Sequence, residues 1–336
     1  MRQGKQLHIA FIDGGKPFNG RTARNAASGG VHHGTVSLAE AFARAGHLVS
    51  VYNGTVECVE LHGVTWIPLT QNTRIDAELV IANNHARLFR HVSRGRKVVW
   101  FRNPANFHRL WKRGDLFPVV NHRPHAVFLS RYHERTVSRL PPFASRSIIE
   151  HGTSLEFIRS SPALHAPAPR AIFTSQPYRG LNWVLDVWAR LIHPAVPTAE
   201  LHVFAGEDQI ALLSEYKHLG VHRRERVARA ELANELRNAR VLLCPGHWHE
   251  TYCNAAAEAT AAAVPVVSRG LGSLSERIQH EKNGYLAYDA QDFANFSILL
   301  LVDDARWLSM HEAMVIDRDL PTWDDRVAEW SSAFLA

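Results

Sequence analysis

Two glutamates eight residues apart, at the mouth and on the body of one short helix, are the first residues whose types and spacing suggest chemistry. In GHWHETYCNAAAEATAAAVPVVSRG (246–270) a strand ends at Cys244-Pro245, a polar loop follows, and an alanine-rich helix is expected from near Tyr252. Glu250 stands at its mouth and Glu258 eight residues on, which separates their backbones by roughly 12 Å along the axis. The unpaired N–H groups of Thr251, Tyr252, Cys253 and Asn254 lie between them and favour an anion. A diphosphate held there leaves one glutamate beside the group at one end and the second beside the group at the other. That order, sugar then diphosphate then ribose, is the order of a nucleotide sugar. On spacing alone the plainer alternative stands: Glu250 caps the helix and Glu258 is solvated on its face.

A second basic element complements the first. In FTSQPYRGLNWVLDVW (173–188), Arg179 and Gly180 stand where a strand-to-helix loop meets its helix. The planar guanidinium suits bidentate phosphate contact, and Ser175 in the same loop can add a hydroxyl; a surface arginine after a turn is the alternative. Gly29 and Gly30 in SGGVHHG let a backbone approach a ligand, without forming a dinucleotide or phosphate-loop motif. His85, in VIANNHARLF, ends a strand facing the presumed cleft, with a solvated loop histidine as the plainer alternative. The histidines and cysteines of CPGHWHETYC fit no usual zinc spacing, and Asp317-Arg-Asp319 lies too late in the chain for a metal-binding DxD motif, so no metal is expected.

The elements that must position these groups alternate. Short β-rich runs at 7–13, 48–54, 64–69, 79–84, 97–103, 125–130 and 147–152 are followed, after the Pro/Ala-rich SSPALHAPAP (160–169), by a second series at 171–175, 201–206, 241–246 and 264–269 with helices over 181–192 and 230–239. Alternation of this kind predicts parallel sheets with crossover helices, whose ligands bind beyond the carboxyl ends of the strands. The reading is α/β, two doubly wound Rossmann-like domains facing a central cleft: residues 1–160, a linker over 161–169, a second domain over 170–320, and a C-terminal helix over 321–336 packing back across the cleft.

The 336 residues carry a net charge of +6, but residues 1–160 hold 22 Lys and Arg against 10 Asp and Glu, and the remainder is net −6. The basic half suits an anionic partner or is simply a solvated basic face. RNPANFHRLWKRGDLF (102–117) mixes bases with Phe107, Leu110, Trp111 and Phe117, as a membrane-surface segment does, whereas no nucleic-acid recognition motif is found. Three cysteines and the absence of a leader pattern in MRQGKQLHIAFID point to the reducing cytosol, with peripheral attachment to the inner face of the cytoplasmic membrane.

Several of these motifs, arriving in order, resemble the GT-B glycosyltransferases of family 4, the group 1 glycosyltransferases. Glu250, Glu258, VPVVS (264–268), Glu276-Arg-Ile278 and Asn283-Gly284 are similar to that family's glutamate motif and its following strand and turn. SGGVHHGTVSLAEAFARAGHLVSVYN (28–53), IIEHGTSLEFI (148–158) and TWDDRVAEW (322–330) extend the likeness across the chain. The resemblance implies a retaining, metal-independent hexosyltransferase with no resident cofactor. It implies Glu250 on the sugar hydroxyls, Glu258 on the ribose, Arg179 and the helix N-terminus on the diphosphate, Gly29 and Gly30 facing the donor, His85 as the first-domain histidine against the donor sugar, and a UDP- or GDP-linked substrate. The acceptor implied is a glycan or glycolipid of envelope polysaccharide or lipopolysaccharide synthesis. The family's pattern places another basic residue five positions before Arg179, where this chain has Thr174. A nucleotide-sugar 2-epimerase and a non-catalytic partner protein of the same fold are the alternatives.

Overall fold

Runs such as HIAFI and ELHVF make strands because their β-branched and aromatic residues can be buried on both faces of a sheet at once. The computed structural model describes residues 6–22, 30–140, 142–158, 161–316 and 319–335. The chain divides into two compact units, residues 1–152 with 321–336, and residues 153–320. The Pro/Ala-rich stretch expected as a linker therefore falls inside the second unit.

The first unit is built on eight strands: β1 (His8–Ile12), β2 (Leu48–Asn53), β3 (Val59–Leu61), β4 (Val64–Pro68), β5 (Ile75–Asn83), β6 (Val92–Trp100), β7 (His125–Phe128) and β8 (Arg146–Ile148). Their order is β3-β4-β2-β1-β5-β6-β7-β8, parallel throughout except for the antiparallel β3–β4 pair at one edge. The strand order reverses between β1 and β5, so the crevice beyond their carboxyl ends is the topological switch point. Helix Gly30–Arg44 returns the chain from the loop after β1 and buries Val36, Leu38, Ala39, Ala41 and Phe42.

The C-terminal helix Trp323–Phe334 belongs to this unit. Its start is fixed by a capping box between Thr322 and Asp325, two reciprocal bonds that satisfy backbone donors otherwise orphaned at a helix N-terminus. It lays Trp330 against Trp100 at 5.3 Å between ring centres and Trp323 against His151 at 5.4 Å.

The second unit has six parallel strands: β9 (Arg170–Phe173), β10 (Glu200–Phe204), β11 (Val221–Arg224), β12 (Val241–Leu243), β13 (Val266–Ser268) and β14 (Gly284–Leu286). Their order, β11-β10-β9-β12-β13-β14, is the doubly wound 3-2-1-4-5-6 arrangement. Alternate residues feed two cores: Ala171, Phe173, Leu201 and Val203 face one, and Ile172 and Phe204 the other. The switch point here lies between β9 and β12, where Ser175 Oγ comes to 4.0 Å from Cys244 Sγ. Among the described residues no helix is long and apolar enough to cross a membrane.

Candidate functional site

The loop after β9 turns through Pro177–Arg179 and enters helix Leu181–Val187 at Gly180, whose φ of 111° and whose space, closed by Pro245 at 2.7 Å from an added Cβ, both demand glycine. That turn sends Arg179 into a direct ion pair between its Nη1 and Glu250 Oε2, while its Nε donates to the Tyr178 hydroxyl at 3.2 Å. Burial pulls the Arg179 pKa down, but the charge and hydrogen bond of Glu250, helped by Tyr178, more than reverse this, and the guanidinium stands above an ordinary arginine. Glu250 is clamped through its backbone: its N–H donates to His247 O, and its carbonyl accepts from Ser273 N–H at 3.0 Å. Gly272 permits the second bond, since a Cβ there would lie 2.7 Å from Glu250 O. The two residues selected separately from sequence, 71 positions apart, are thus one charged pair.

Thr251, Tyr252 and Cys253 are buried, and helix Asn254–Ala261 begins two residues later than the sequence suggests. The reason is Cys253, which caps the helix from the left-handed region at φ 63° with its Sγ 3.6 Å from that of Cys244. The Cys244 hydrogen bond first, and burial second, hold the Cys253 thiol well above the usual thiol pKa, so it is a packing group rather than a nucleophile. Arg277 braces Tyr252, donating to its carbonyl at 2.9 Å and lying over its ring at 4.0 Å.

Glu258, one turn into the helix, is neither solvated nor alone. Arg229 reaches it at 2.8 Å through Nη1, and also reaches Glu156 at 3.1 Å and Ser154 Oγ at 3.3 Å while lying over the Phe157 ring. Burial raises the Glu258 pKa, Arg229 offsets part of that, Glu156 adds to it, and the net effect is upward. Sequence reasoning missed Arg229 because it sits in the charge run RRERVAR, which reads as a solvated loop. Two hydroxyls near these loops, Thr174 Oγ1 and Ser273 Oγ, are buried with no hydrogen-bond partner. Thr174 occupies the place where the resemblance expects a second basic residue.

In the first unit the switch point collects a different set. Arg102, only 4% exposed, lies with its guanidinium 3.2 Å above the Trp100 ring and donates to Thr35 Oγ1 at 3.2 Å. Asn83 Nδ2 donates to both Thr35 and Asp13 at 2.9 Å. Burial drives the Arg102 pKa down to about 9 against the opposing charge of Asp13. The sequence signal for this cluster was present in the strand ends LVIANN and KVVWFRN, but Arg102 reads as the start of the amphipathic segment 102–117. His85 belongs elsewhere: its Nδ1 is 2.8 Å from Asp115 Oδ2, and Asp115 also accepts from Arg87 N–H. Gly30 is the first residue of helix Gly30–Arg44, and Gly29 lies outside the described residues.

Helices Phe107–Lys112 and Leu116–His122 follow. They expose Phe107, Trp111, Phe117 and Val120 beside a cavity of about 580 Å³ lined by Arg87, His108, Arg109, Lys112 and Arg113. Burial, then the neighbouring Arg109, lower the Arg113 pKa, with Asp115 opposing.

Residues 168–303, all within the second unit, match the family described as glycosyl transferases group 1. No curated protein matches the chain by sequence. Among solved structures, sucrose-phosphate synthase from Thermosynechococcus elongatus is similar at a TM-score of 0.76 and 18% identity, with 98% of each chain covered. The Anabaena protein Alr3699/HepE, solved with UDP and glucose, gives 0.74 and 15%, covering 98% of this chain and 100% of that one. WaaG, a glycosyltransferase involved in lipopolysaccharide biosynthesis, gives 0.69 and 13%, covering 96% and 99%. Residues 168–303 are thus similar to the group 1 glycosyl transferases, and the chain as a whole has the two-sheet GT-B fold of these solved structures.

Proposed function

We propose that this protein is a retaining, metal-independent glycosyltransferase that moves a hexose-type sugar from a nucleotide-diphosphate donor to a glycan or glycolipid acceptor of envelope polysaccharide or lipopolysaccharide synthesis. The observation that carries the reading is the Arg179–Glu250 pair at the switch point of the second sheet, immediately ahead of the Asn254–Ala261 N-terminus. A diphosphate entering there competes with Glu250 for the guanidinium. The exchange gives the phosphates their cation and the helix N-terminus, and frees the Glu250 carboxylate to accept hydrogen bonds from sugar hydroxyls. The partnerless hydroxyls of Thr174 and Ser273 supply donors where a second basic residue would act. Glu258, held by Arg229, takes the ribose hydroxyls.

No side chain of the second unit's cluster stands out as a nucleophile, since the proposal gives the Glu250 carboxylate to the sugar hydroxyls, and this favours reaction on one face. The bond from the anomeric carbon to the diphosphate oxygen breaks, the acceptor oxygen bonds to that carbon from the same side, and its proton passes to the departing phosphate. Arg179 and the helix N-terminus stabilise the charge that develops, the main electrostatic task of such a transfer. In the first unit, the cluster of Arg102, Thr35, Asn83 and Asp13 is the candidate acceptor-side site. The exposed aromatics and the basic cavity around Arg109 and Arg113 suit an anionic membrane surface, from which a lipid-borne acceptor would be drawn.

UDP is the first donor nucleotide to test, because the similar HepE was solved with UDP and with UDP-glucose. Calorimetric titration of the purified chain with UDP and with GDP should give saturable binding of one of them, weakened at least tenfold in Arg179→Ala. Absence of binding to either diphosphate, or normal turnover in Glu258→Gln, overturns the reading. Conversion of donor without any acceptor, to an epimer rather than to free sugar, would transfer it to the epimerase alternative.

A further inference from the structure

Strand β10 carries Glu200 and His202 on one face, and the parallel register sets His202 directly beside His222 of β11. The two imidazoles lie with ring centres 5.3 Å apart. The Glu200 carboxylate joins both: Oε2 is 2.9 Å from His202 Nε2, and Oε1 is 3.9 Å from His222 Nε2. One ligand atom from each residue falls within 4.8 Å of the other two, the only such group of three His, Cys, Asp or Glu among the described residues.

We infer that Glu200, His202 and His222 form a site for a zinc-class divalent ion that fastens the edge strand β11 to β10. Bonds of 2.0–2.2 Å to nitrogen and oxygen place tetrahedral ligands roughly 3.4 Å apart, so rotations of the exposed Glu200 and His222 side chains close the set. His202 is the fixed member. Its side chain is 5% exposed and its Nδ1 has no hydrogen-bond partner, so packing and the contact at Nε2 alone hold the ring. Two imidazoles and one carboxylate match zinc, cobalt or copper and are too poor in oxygen for calcium or magnesium. The open side of the edge strand leaves remaining positions to water. Arg170, whose Nη2 is 3.6 Å from Glu200 Oε2, competes with the ion for the carboxylate.

This site is independent of the transfer reading. Glu200 opens β10 in register with Arg170 at the start of β9, and His202 stands mid-strand beside Ile172, whereas Thr174 and Arg179 follow the carboxyl end of β9.

The test is titration of chelator-treated full-length protein with Zn²⁺, followed by calorimetry, and with Co²⁺, followed by visible absorption. The other histidines give a weak background, so the comparison between variants is the readout. The expected result is one equivalent bound at least tenfold more tightly by the parent chain than by His222→Ala or Glu200→Gln. Arg170→Gln should bind several-fold more tightly, and UDP affinity should be the same in all four proteins. Equal Zn²⁺ binding by parent, His222→Ala and Glu200→Gln would overturn the inference. Weaker binding by Arg170→Gln, or UDP affinity that follows zinc occupancy, would overturn it too.

Discussion

Arg179 lies in the loop after β9, a switch-point strand of its sheet, and Arg102 follows β6, one strand out from the β1–β5 switch point; their surroundings shift them in opposite directions. Arg179 is paired with a carboxylate, and the folded state favours its charge. Arg102 lies over an indole face and donates to Thr35 and Asn83, and burial outweighs the charge of Asp13 and disfavours its own. Removing one partner of a buried pair leaves the other charge uncompensated, whereas neutralising a charge held against its own desolvation relieves that cost.

The largest expected effect breaks the pair. Arg179→Met and Glu250→Gln should each lower transfer by about 10²–10³-fold in an assay of released nucleotide, the range for loss of one group that stabilises developing charge. Arg179→Met should also destabilise the second unit by about 3 kcal/mol, because it leaves a buried carboxylate unpaired; hydrogen exchange of the β12 and β13 amides measures this. Arg102→Met sharpens the contrast: turnover with acceptor falls while protection of the β5 and β6 amides stays unchanged or rises. A collapse of that protection would show Arg102 to be structural.

Acid should separate the units as well. His133 is fully buried, with Nδ1 accepting from Leu129 N–H at 3.2 Å and Nε2 donating to Asn103 O at 3.1 Å, an arrangement only the neutral ring can make. Burial lowers its pKa to about 4, partly opposed by the Asn103 bond. Because the unfolded chain takes up that proton below about pH 6.5 and the folded chain only near pH 4, the first unit loses stability as pH falls through this window. The loss should reach about 2 kcal/mol by pH 5. Exchange rates of the β7 amides should record it, with a flatter pH dependence in His133→Gln. The smallest effect belongs to the surface: Lys112→Glu should weaken binding to vesicles containing anionic lipid by about thirtyfold, a charge reversal counting as two charges of about 1 kcal/mol each, and added salt should erase the difference.

The sheets were legible because their central strands are buried on both faces and appear as unbroken apolar runs. The strands that escaped, β3, β11 and β14, are three or four residues long and all lie at sheet edges; β3 and β11 also carry polar residues, as in VHRR, where periodicity reports nothing. Glu250, Glu258 and Arg179 were legible from motif and spacing. Their actual partners were not, since the Arg229–Glu258 bridge spans 29 positions and the Arg102 cluster draws on four separate elements. Hydrophobic pattern records what is buried, and only the fold decides what is buried beside it.

The division of the chain also orders its synthesis. Residues 153–320 form the second unit without interruption, whereas the first needs residues 321–336 to lay Trp330 over Trp100, the ring on which Arg102 rests. On the ribosome the second unit can fold while Trp100 of the first still awaits the ring that covers it, so the stack of Trp330, Trp100 and Arg102 closes only after residues 321–336 emerge.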